Sequence, residues 1–282
     1  NPTYSFVITA STSPASAFKF DGSNDFITVA NNSTLNTLPF TVETWFKTGL
    51  SAGGAYGLVS KYASGLFNGW NLYYASGTVN GYYFGNASNY VNWPITSTVT
   101  ISDNNWHHAA MVVDVNGATI YIDGVRAGPT STWVGTPVAT SNTLNVNIAN
   151  YSNNFHPVEI DEVRLWNTAR SQCELQTYMN AEITSTASGL MANYHFNQGV
   201  PSGINTTITT LFDATGNNNG TLTNVALTGT NSNWVSPGGV TNNYTIASPP
   251  TSSISINGNG NAIPVGAATS TNNFTDFGSA TT

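Results

Sequence analysis

Charged side chains and cysteines are scarce in this sequence, and each shortage excludes a class of function. Only 7% of the 282 residues are charged, and 13 acidic residues outnumber 6 basic ones, which gives a formal charge of −7. Nucleic acids and anionic membranes are bound through clusters of Lys and Arg, so we expect neither as a partner. The single cysteine, Cys173, excludes an intrachain disulfide and a cysteine-based zinc site.

Long apolar runs are absent as well, and the first residues do not form a leader sequence. No stretch approaches the roughly 18 apolar residues of a membrane-spanning helix, so we expect no membrane insertion. The chain begins at Asn1 without a charged-then-apolar segment, and Thr, Asn, Ser and aromatic residues are abundant. We interpret the chain as a mature or excised segment of a secreted, extracellular cell-surface protein.

The clearest local pattern is an antiparallel meander in WHHAAMVVDVNGATIYIDGVRAG, residues 106–128. Its three β-rich segments are separated by Asn116-Gly117 and Asp123-Gly124. Both dipeptides favour two-residue type I′ turns, because their residues tolerate positive φ and the turn matches the twist of the strands.

Further strand-like segments recur along the chain, each short, aromatic or β-branched, and bounded by Gly, Asn or Ser. They are FITVAN, FTVETWFKTG, YGLVSKY, GWNLYYAS, NGYYFGN, TLNVNIANY, EIDEVRLWN and GLMANYHFN. About ten strands at this spacing predict an all-β, two-sheet antiparallel jelly-roll sandwich. One short helix is predicted in SQCELQTYM, where Ser171 and Glu174 form a capping box.

The composition changes after Trp234, and this change predicts a domain boundary. Between residues 236 and 282 only Asp276 is charged, and Pro249-Pro250 interrupts the stretch. We predict an N-terminal strand or linker at 1–14, a jelly roll at 15–238 and a linker at 239–252. Residues 253–282 are too few to bury a core of their own, so they are expected to begin a further β domain or to form a docked strand.

Seven motifs in chain order carry a resemblance to a known family: FKFDGSNDFITV, FTVETWFK, WHHAAMVVD, IYIDGVRAG, IDEVRLWNTARS, GLMANYHFNQG and DATGNNNGTLTN. Over residues 15–235 the chain resembles the laminin-G-like, concanavalin-A-like jelly rolls of secreted bacterial proteins. The resemblance implies two curved antiparallel sheets, in adhesins or beside carbohydrate-active enzymes. The tail resembles the start of an immunoglobulin-like repeat, and the whole resembles a piece of a large adhesin, such as the surface filaments of gliding bacteria.

The segment VEIDEVRLW (158–166) concentrates acidic residues in a chain that has few of them. In a strand, Glu159 and Asp161 share a face about 6.7 Å apart, which would suit the paired carboxylates of a glycoside hydrolase. The related jelly-roll glycosidases carry E-x-D-x-x-E, whereas the last position here is Arg164. We therefore expect no catalytic residue, and interpret the acids as an edge ion pair with Arg164 or as a metal ligand.

A structural calcium ion is the metal that the resemblance implies, because relatives of this fold hold one where the penultimate strand meets the first. The turn FDGSND offers Asp21 and Asp25, and we expect a structural Ca²⁺ that links them to Asp161. The alternative is that Asp21-Gly22 is simply a β-turn. The loop DATGNNNG, with Asp213, is a second and weaker candidate.

Exposed aromatic rings are the candidate ligand-binding residues, because flat rings stack on sugar faces while polar neighbours read hydroxyl groups. In GWNLYYAS the alternation places Trp70, Leu72 and Tyr74 on one face and Asn71 and Tyr73 on the other. The predicted ligand-binding rings are Tyr73, Tyr90, Trp93 and Trp133. The competing interpretation is that the sandwich core consumes most of these aromatics.

The sequence thus predicts a non-catalytic adhesion or carbohydrate-binding module of a large surface protein. Its expected partners are a polysaccharide or cell-surface glycan and neighbouring β domains. The alternative is a structural spacer or filament subunit, in which strand-like ends at 4–10 and 253–260 pair with neighbours. A glycoside hydrolase is the third and least favoured hypothesis.

Overall fold

The structure is a computed structural model that describes residues 16–51 and 53–241, together with the backbone of three short strands at 245–246, 253–254 and 263–264. The predicted strand at 4–10 and nearly all of the tail lie outside the described residues. The strands are β1 Ala17–Lys19, β2 Phe26–Val29, β3 Phe40–Lys47, β4 Tyr56–Lys61, β5 Gly69–Ala75, β6 Thr78–Asn86, β7 Asn89–Val91, β8 Ile95–Thr100, β9 Trp106–Asp114, β10 Gly117–Ile122, β11 Val125–Arg126, β12 Trp133–Val134, β13 Val146–Ile148, β14 Asn150–Tyr151, β15 Asn154–Phe155, β16 Glu159–Trp166, β17 Glu182–Ile183, β18 Leu190–Tyr194, β19 Thr210–Leu211, β20 Gly220–Thr223, β21 Asn233–Val235, β22 Thr245–Ile246, β23 Ser253–Ile254 and β24 Ile263–Pro264.

Two large sheets hold most of these strands, and the predicted jelly-roll sandwich is confirmed. The eight-stranded sheet runs β11-β10-β9-β3-β16-β1-β21, with β18 also paired to β16. The ten-stranded sheet runs β12-β7-β6-β5-β4-β13-β2-β20-β19, with β8 also paired to β6. Neighbouring strands in both sheets are antiparallel, as expected where short loops connect adjacent strands.

The core lies between the two sheets and is rich in aromatic rings. Phe40 on β3 lies 4.7 Å from Trp70 on β5, measured between ring centroids, and Phe46 on β3 lies 6.1 Å from Tyr74 on β5. Trp70, Leu72 and Tyr74 are completely buried, so the predicted alternation of β5 selects the core face correctly. The opposite face of β5 carries Asn71 and Tyr73.

One α-helix, α1 (Gln172–Tyr178), and one 3₁₀ helix, Ser33–Leu35, occur among the described residues. The predicted capping box of α1 is confirmed: the Ser171 side chain accepts from the Glu174 backbone, and the Glu174 side chain accepts from the Ser171 backbone. Within the described ranges, no helix has the length and hydropathy needed to cross a bilayer.

The meander β9-β10-β11 is confirmed, but only one of its turns has the predicted form. At the second turn Ile122 pairs with Val125, and Asp123 and Gly124 have φ values of 51° and 71°, as a type I′ turn requires. At the first turn Gly117 already pairs with Asp114, so the loop residues are Val115 and Asn116. The Asp114 carboxylate accepts from the Asn116 backbone N–H at 2.7 Å and fixes this loop.

Candidate functional site

The acid-rich strand β16 contains a β-bulge that changes which of its side chains share a face. Asp161 pairs with Trp45 and Arg164 with Glu43, so two residues of β16 oppose one residue of β3. Glu162, at the bulge, has a φ of 48°. Ile160 and Val163 are both buried in the core although they are three residues apart, because the bulge shifts the alternation by one position.

Glu162 and Arg164 form an ion pair in the interior of the molecule, which corrects the prediction of a pair at an edge. Arg164 Nη2 lies 2.7 Å from Glu162 Oε2, and both side chains are almost fully buried. On its other side, the Glu162 carboxylate accepts from His195 Nδ1 at 2.6 Å. The guanidinium also donates to the carbonyls of Tyr178 and Ala181, so it ties the end of helix α1 to the sheet.

Glu43 on the adjacent strand completes this buried network. It accepts from His108 Nε2 at 3.0 Å and from Trp166 Nε1 at 2.8 Å. Burial alone would raise the pKa of Glu43, but the His108 hydrogen bond and the Arg164 charge lower it to about 2. Every oxygen of Glu43 and Glu162 therefore has a partner within the protein.

Glu159 and Asp161, the pair that resembles a hydrolase motif, do not line a common cleft. Glu159 Oε2 is 3.0 Å from Lys47 Nζ at the surface. Asp161 is buried, and its carboxylate accepts from the backbone N–H groups of Glu162 at 2.8 Å and Val240 at 3.1 Å. The carboxylates of β16 are thus engaged in contacts within the protein.

Asp21, Asp25 and Asp161 do not fit a single calcium site. Lys19 pairs with Glu159, so the antiparallel register places Asp161 beside Ala17, four residues and about 13 Å from Asp21. Both Asp25 oxygens lie 3.0 Å from the backbone nitrogen of Asp21 and accept from it, and Asp21 Oδ1 accepts from Ser23 at 2.7 Å. The turn reading of Asp21-Gly22 therefore describes the geometry better than a three-carboxylate ion site does.

A different group of side chains has the spacing of metal ligands, and sequence reasoning missed it. Glu162, Glu182 and His195 each place one ligand atom within 4.8 Å of the others. The negative charge of the Glu162 carboxylate in this group is already neutralised by Arg164. The Oε1 atom of Glu162 lies 2.6 Å from His195 Nδ1. These contacts explain the cluster as a buried ion network.

The most distinctive surface feature is a cleft of about 330 Å³ on the outer face of the ten-stranded sheet, which we call the aromatic cleft. It is lined by Tyr62, Ser64, Gly65, Phe67, Tyr82, Phe84, Trp93 and Tyr151. Trp93 is 49% exposed and Phe67 is 42% exposed. Six aromatic rings and no charged side chain therefore form its walls.

Strand alternation and a neighbouring hairpin assemble the aromatic cleft. Tyr82 and Phe84 are two residues apart on β6 and so face the same side. Tyr62, which follows β4, stacks on Phe84 at 5.5 Å, and Tyr151 from the hairpin β14-β15 lies 6.1 Å from Tyr62. Trp93 meets the edge of Tyr82 at 5.6 Å and an interplanar angle of 88°.

The face of the sheet beside these rings also carries buried polar groups. Asn71 pairs in register with Tyr82 on one side and with Ser60 on the other, so the three side chains share the outer face. Asn71 is completely buried and Ser60 is 1% exposed. The Asn71 amide and the Ser60 hydroxyl have no hydrogen-bond partner within the protein.

The structure brings two of the four predicted ligand-binding rings to this region in accessible form. Trp93 lines the aromatic cleft, and Tyr90 packs on Phe84 at 5.4 Å. Tyr73 faces the same way but is only 5% exposed, because Tyr82 covers it at 4.7 Å. Trp133 packs on the core residue Tyr83 at 5.7 Å and donates to the carbonyl of Asp114, so it is a structural ring.

The comparison with protein families agrees with this architecture. Residues 21–176 match the family model of the concanavalin A-like lectin/glucanases superfamily, Laminin_G_3. The chain belongs to this family. Among curated proteins, none matches this laminin-G-like chain.

Three solved structures are similar to part of this chain, and the first of them, with a TM-score above 0.5, shares its fold. The laminin-G-like chain resembles a candidate carbohydrate-binding protein from Bacteroides ovatus, with 19% sequence identity, a TM-score of 0.58 and coverage of 74% of this chain and 58% of that one. The binding domain of Paraclostridial mosquitocidal protein 1 has 18% identity and a TM-score of 0.44, and covers 58% of this chain and 45% of that one. Domains LG4-5 of the mouse laminin alpha1 chain have 16% identity and a TM-score of 0.44, with coverage of 61% of this chain and 47% of that one. The chain thus spans less than two thirds of each of these proteins, and at such identities the likeness concerns the fold alone.

Proposed function

We propose that the chain is a non-catalytic module that binds glycan through the aromatic cleft. The single observation that carries this proposal is the cleft itself, with six rings around about 330 Å³ and Trp93 half-exposed at its rim. Exposed aromatic surface of this kind on a folded domain marks a binding site. Membership of a lectin-containing superfamily and the fold shared with the Bacteroides ovatus protein support the same conclusion.

The proposal extends to the setting of the module, a large extracellular surface protein with further β domains. The support is the resemblance of the chain to pieces of large adhesins, its low charge, and its match to only part of longer proteins. The immunoglobulin-like repeat proposed for the tail falls outside the described residues.

The absence of catalysis is part of the proposal, and the engaged carboxylates of β16 support it. A polysaccharide incubated with the protein should release no new reducing ends. Release that the substitution Glu159→Gln abolishes would contradict a purely binding role.

Affinity electrophoresis in gels that contain a polysaccharide tests the binding function. The wild-type protein should be retarded, and Trp93→Ala should weaken this retardation about fivefold or more, because an exposed ring supplies much of a stacking contact. Phe212→Ala is the matched control, since Phe212 is a 62% exposed ring that does not line the cleft. If Trp93→Ala and Phe212→Ala were both retarded as strongly as the wild type, the cleft would not be the binding site. If the wild-type protein were retarded in no gel, only the role of a structural spacer would remain.

A further inference from the structure

We infer that the aromatic cleft selects an uncharged saccharide and binds it without a bridging metal ion. This inference rests on the proposed function, and it concerns the chemical class of the ligand. The walls of the cleft are aromatic rings, one serine and one glycine, with no charged side chain among them. An acidic glycan would find no Lys or Arg to pair with its carboxylate or sulfate groups.

The charge of the whole chain acts in the same direction. With 13 acidic and 6 basic residues, its formal charge of −7 repels a polyanion before contact. A calcium ion that bridged an acidic sugar to the protein would need oxygen ligands, chiefly carboxylates. No Asp or Glu side chain lines the cleft.

The polar groups that the cleft does offer are neutral. Burial raises the pKa of Tyr62 and of Tyr151, so both phenols stay protonated at neutral pH. A phenol both donates and accepts hydrogen bonds, as a sugar hydroxyl does, while the ring faces take the C–H surface of the sugar.

A buried amide beside the cleft provides a second and independent observation. Asn71 is completely buried, shares the outer face with its register partner Tyr82, and has an unpartnered amide; Ser60 beside it has an unpartnered hydroxyl. An unpaired buried polar group costs about 1–3 kcal/mol, which a hydrogen bond to a ligand can recover. Neither Asn71 nor Ser60 lines the cleft itself, so such a hydrogen bond would require a ring of the cleft to move.

The position and size of the cleft favour a saccharide over a peptide. A peptide that binds as an added strand needs the free N–H and C=O groups of a sheet edge, whereas the cleft lies on a sheet face and is lined by side chains. Its volume of about 330 Å³ is near the lower end of the range for small-molecule sites, about 300–1,000 Å³. A short stretch of a glycan chain fits this space.

The test compares neutral and acidic probes on the full chain. Laminarin, mannan and dextran serve as neutral probes, and alginate, polygalacturonate and heparin as acidic ones. We expect retention by at least one neutral probe, with less than a twofold change when EDTA or 0.5 M NaCl is added. Trp93→Ala should weaken that retention about fivefold or more. Phe212→Ala should leave it unchanged.

A second variant examines the charge argument directly. Ser64 is exposed and lines the cleft, so Ser64→Lys adds a positive charge there without touching the core. This variant should gain retention by an acidic probe, because the cleft then offers a cation to the carboxylate or sulfate groups of the probe, and unchanged exclusion of acidic probes would contradict the charge argument. Loss of thermal stability in either variant would be detected by circular dichroism and corrected for.

The outcomes separate this inference from the proposed function. Retention by acidic probes alone, lost in EDTA or in high salt, would overturn the neutral-saccharide inference and leave glycan binding intact. Retention by none of the six probes would overturn both. Retention by a neutral probe that Trp93→Ala does not weaken would overturn the assignment of the cleft.

Discussion

His156 is held in the core as a neutral side chain, without a charged partner. It is completely buried and stacks between Tyr56 and Tyr74, with both ring centroids 5.1 Å away. Its Nε2 atom lies 3.1 Å from the Thr48 hydroxyl. Burial lowers the pKa of His156 from 6.5 to about 3, so the folded protein excludes a proton that the unfolded chain accepts.

We predict that this histidine makes the fold less stable in mild acid. Between pH 6.5 and 3 the unfolded chain binds a proton at His156 and the folded chain does not, so the free energy of unfolding falls as the pH falls. At pH 5 the loss should be about 2 kcal/mol relative to pH 7. His156→Phe keeps a ring and removes the titration. Urea unfolding of both proteins at pH 7 and pH 5 measures the difference, and an equal loss in both would contradict the prediction.

Asp25 should show the opposite dependence on pH. Burial, together with the nearby Asp21 carboxylate, raises the pKa of Asp25 to about 6. The folded state then binds a proton more tightly than the unfolded state, so this residue favours unfolding increasingly as the pH rises from 4 towards 7. The stability of Asp25→Asn minus that of the wild type should therefore be larger at pH 7.5 than at pH 4.5.

Addition of calcium gives the control. A rise in melting temperature on adding calcium that Asp25→Asn abolishes would show an ion at this turn.

At the scale of elements, the local sequence predicts the strands, one turn and the start of the helix. It does not predict features that depend on contacts between distant strands. The Asp123-Gly124 turn and the Ser171 capping box follow from short-range preferences. The bulge at Glu162 does not, because it depends on how β16 pairs with β3.

The candidate site shows the same limit. Alternation correctly separates Tyr73 from the core face of β5, yet it cannot tell that Tyr82 on the next strand and Tyr151 from a hairpin some 70 residues later in the chain cover Tyr73. Trp93 could be predicted as an exposed ring, whereas the aromatic cleft around it required the pairing order β4-β5-β6-β7.

Arg164 is the element-scale link between β16 and helix α1, and its removal should be costly. Arg164→Met would leave Glu162 without its cation and free the carbonyls of Tyr178 and Ala181. Loss of one partner of a buried ion pair costs about 3–5 kcal/mol, so urea unfolding should show a decrease of this size. Arg126→Ala, at an exposed position, is the control and should cost less than about 1 kcal/mol. A decrease below 1 kcal/mol in the free energy of unfolding of Arg164→Met would show that the ion pair contributes little net stability.

At the scale of the whole molecule, the two ends of the described domain meet in one sheet. β1 lies between β16 and β21, so Ala17 near the start pairs with Val235 near the end. The contacts continue past β21, because Val240 donates to buried Asp161 at 3.1 Å and Gly239 lies against Trp45, where a Cβ atom would come within 2.5 Å of the Trp45 Cβ. Described contacts of the domain thus continue beyond residue 238, and they include the pairing of β22 with β17 further along the chain.

Fragments that end on either side of this contact should therefore differ in stability. A fragment of residues 16–241 should fold and keep its polysaccharide binding, whereas a fragment of residues 16–238 loses the Val240 N–H that pairs with the Asp161 carboxylate. A buried acceptor that loses a donor costs about 1–3 kcal/mol, so the shorter fragment should unfold at a correspondingly lower urea concentration. Val240→Ala in the longer fragment keeps the backbone N–H and should resemble the unmodified fragment of 16–241. Equal stability of the two fragments would mean that solvent replaces the Val240 N–H at the Asp161 carboxylate.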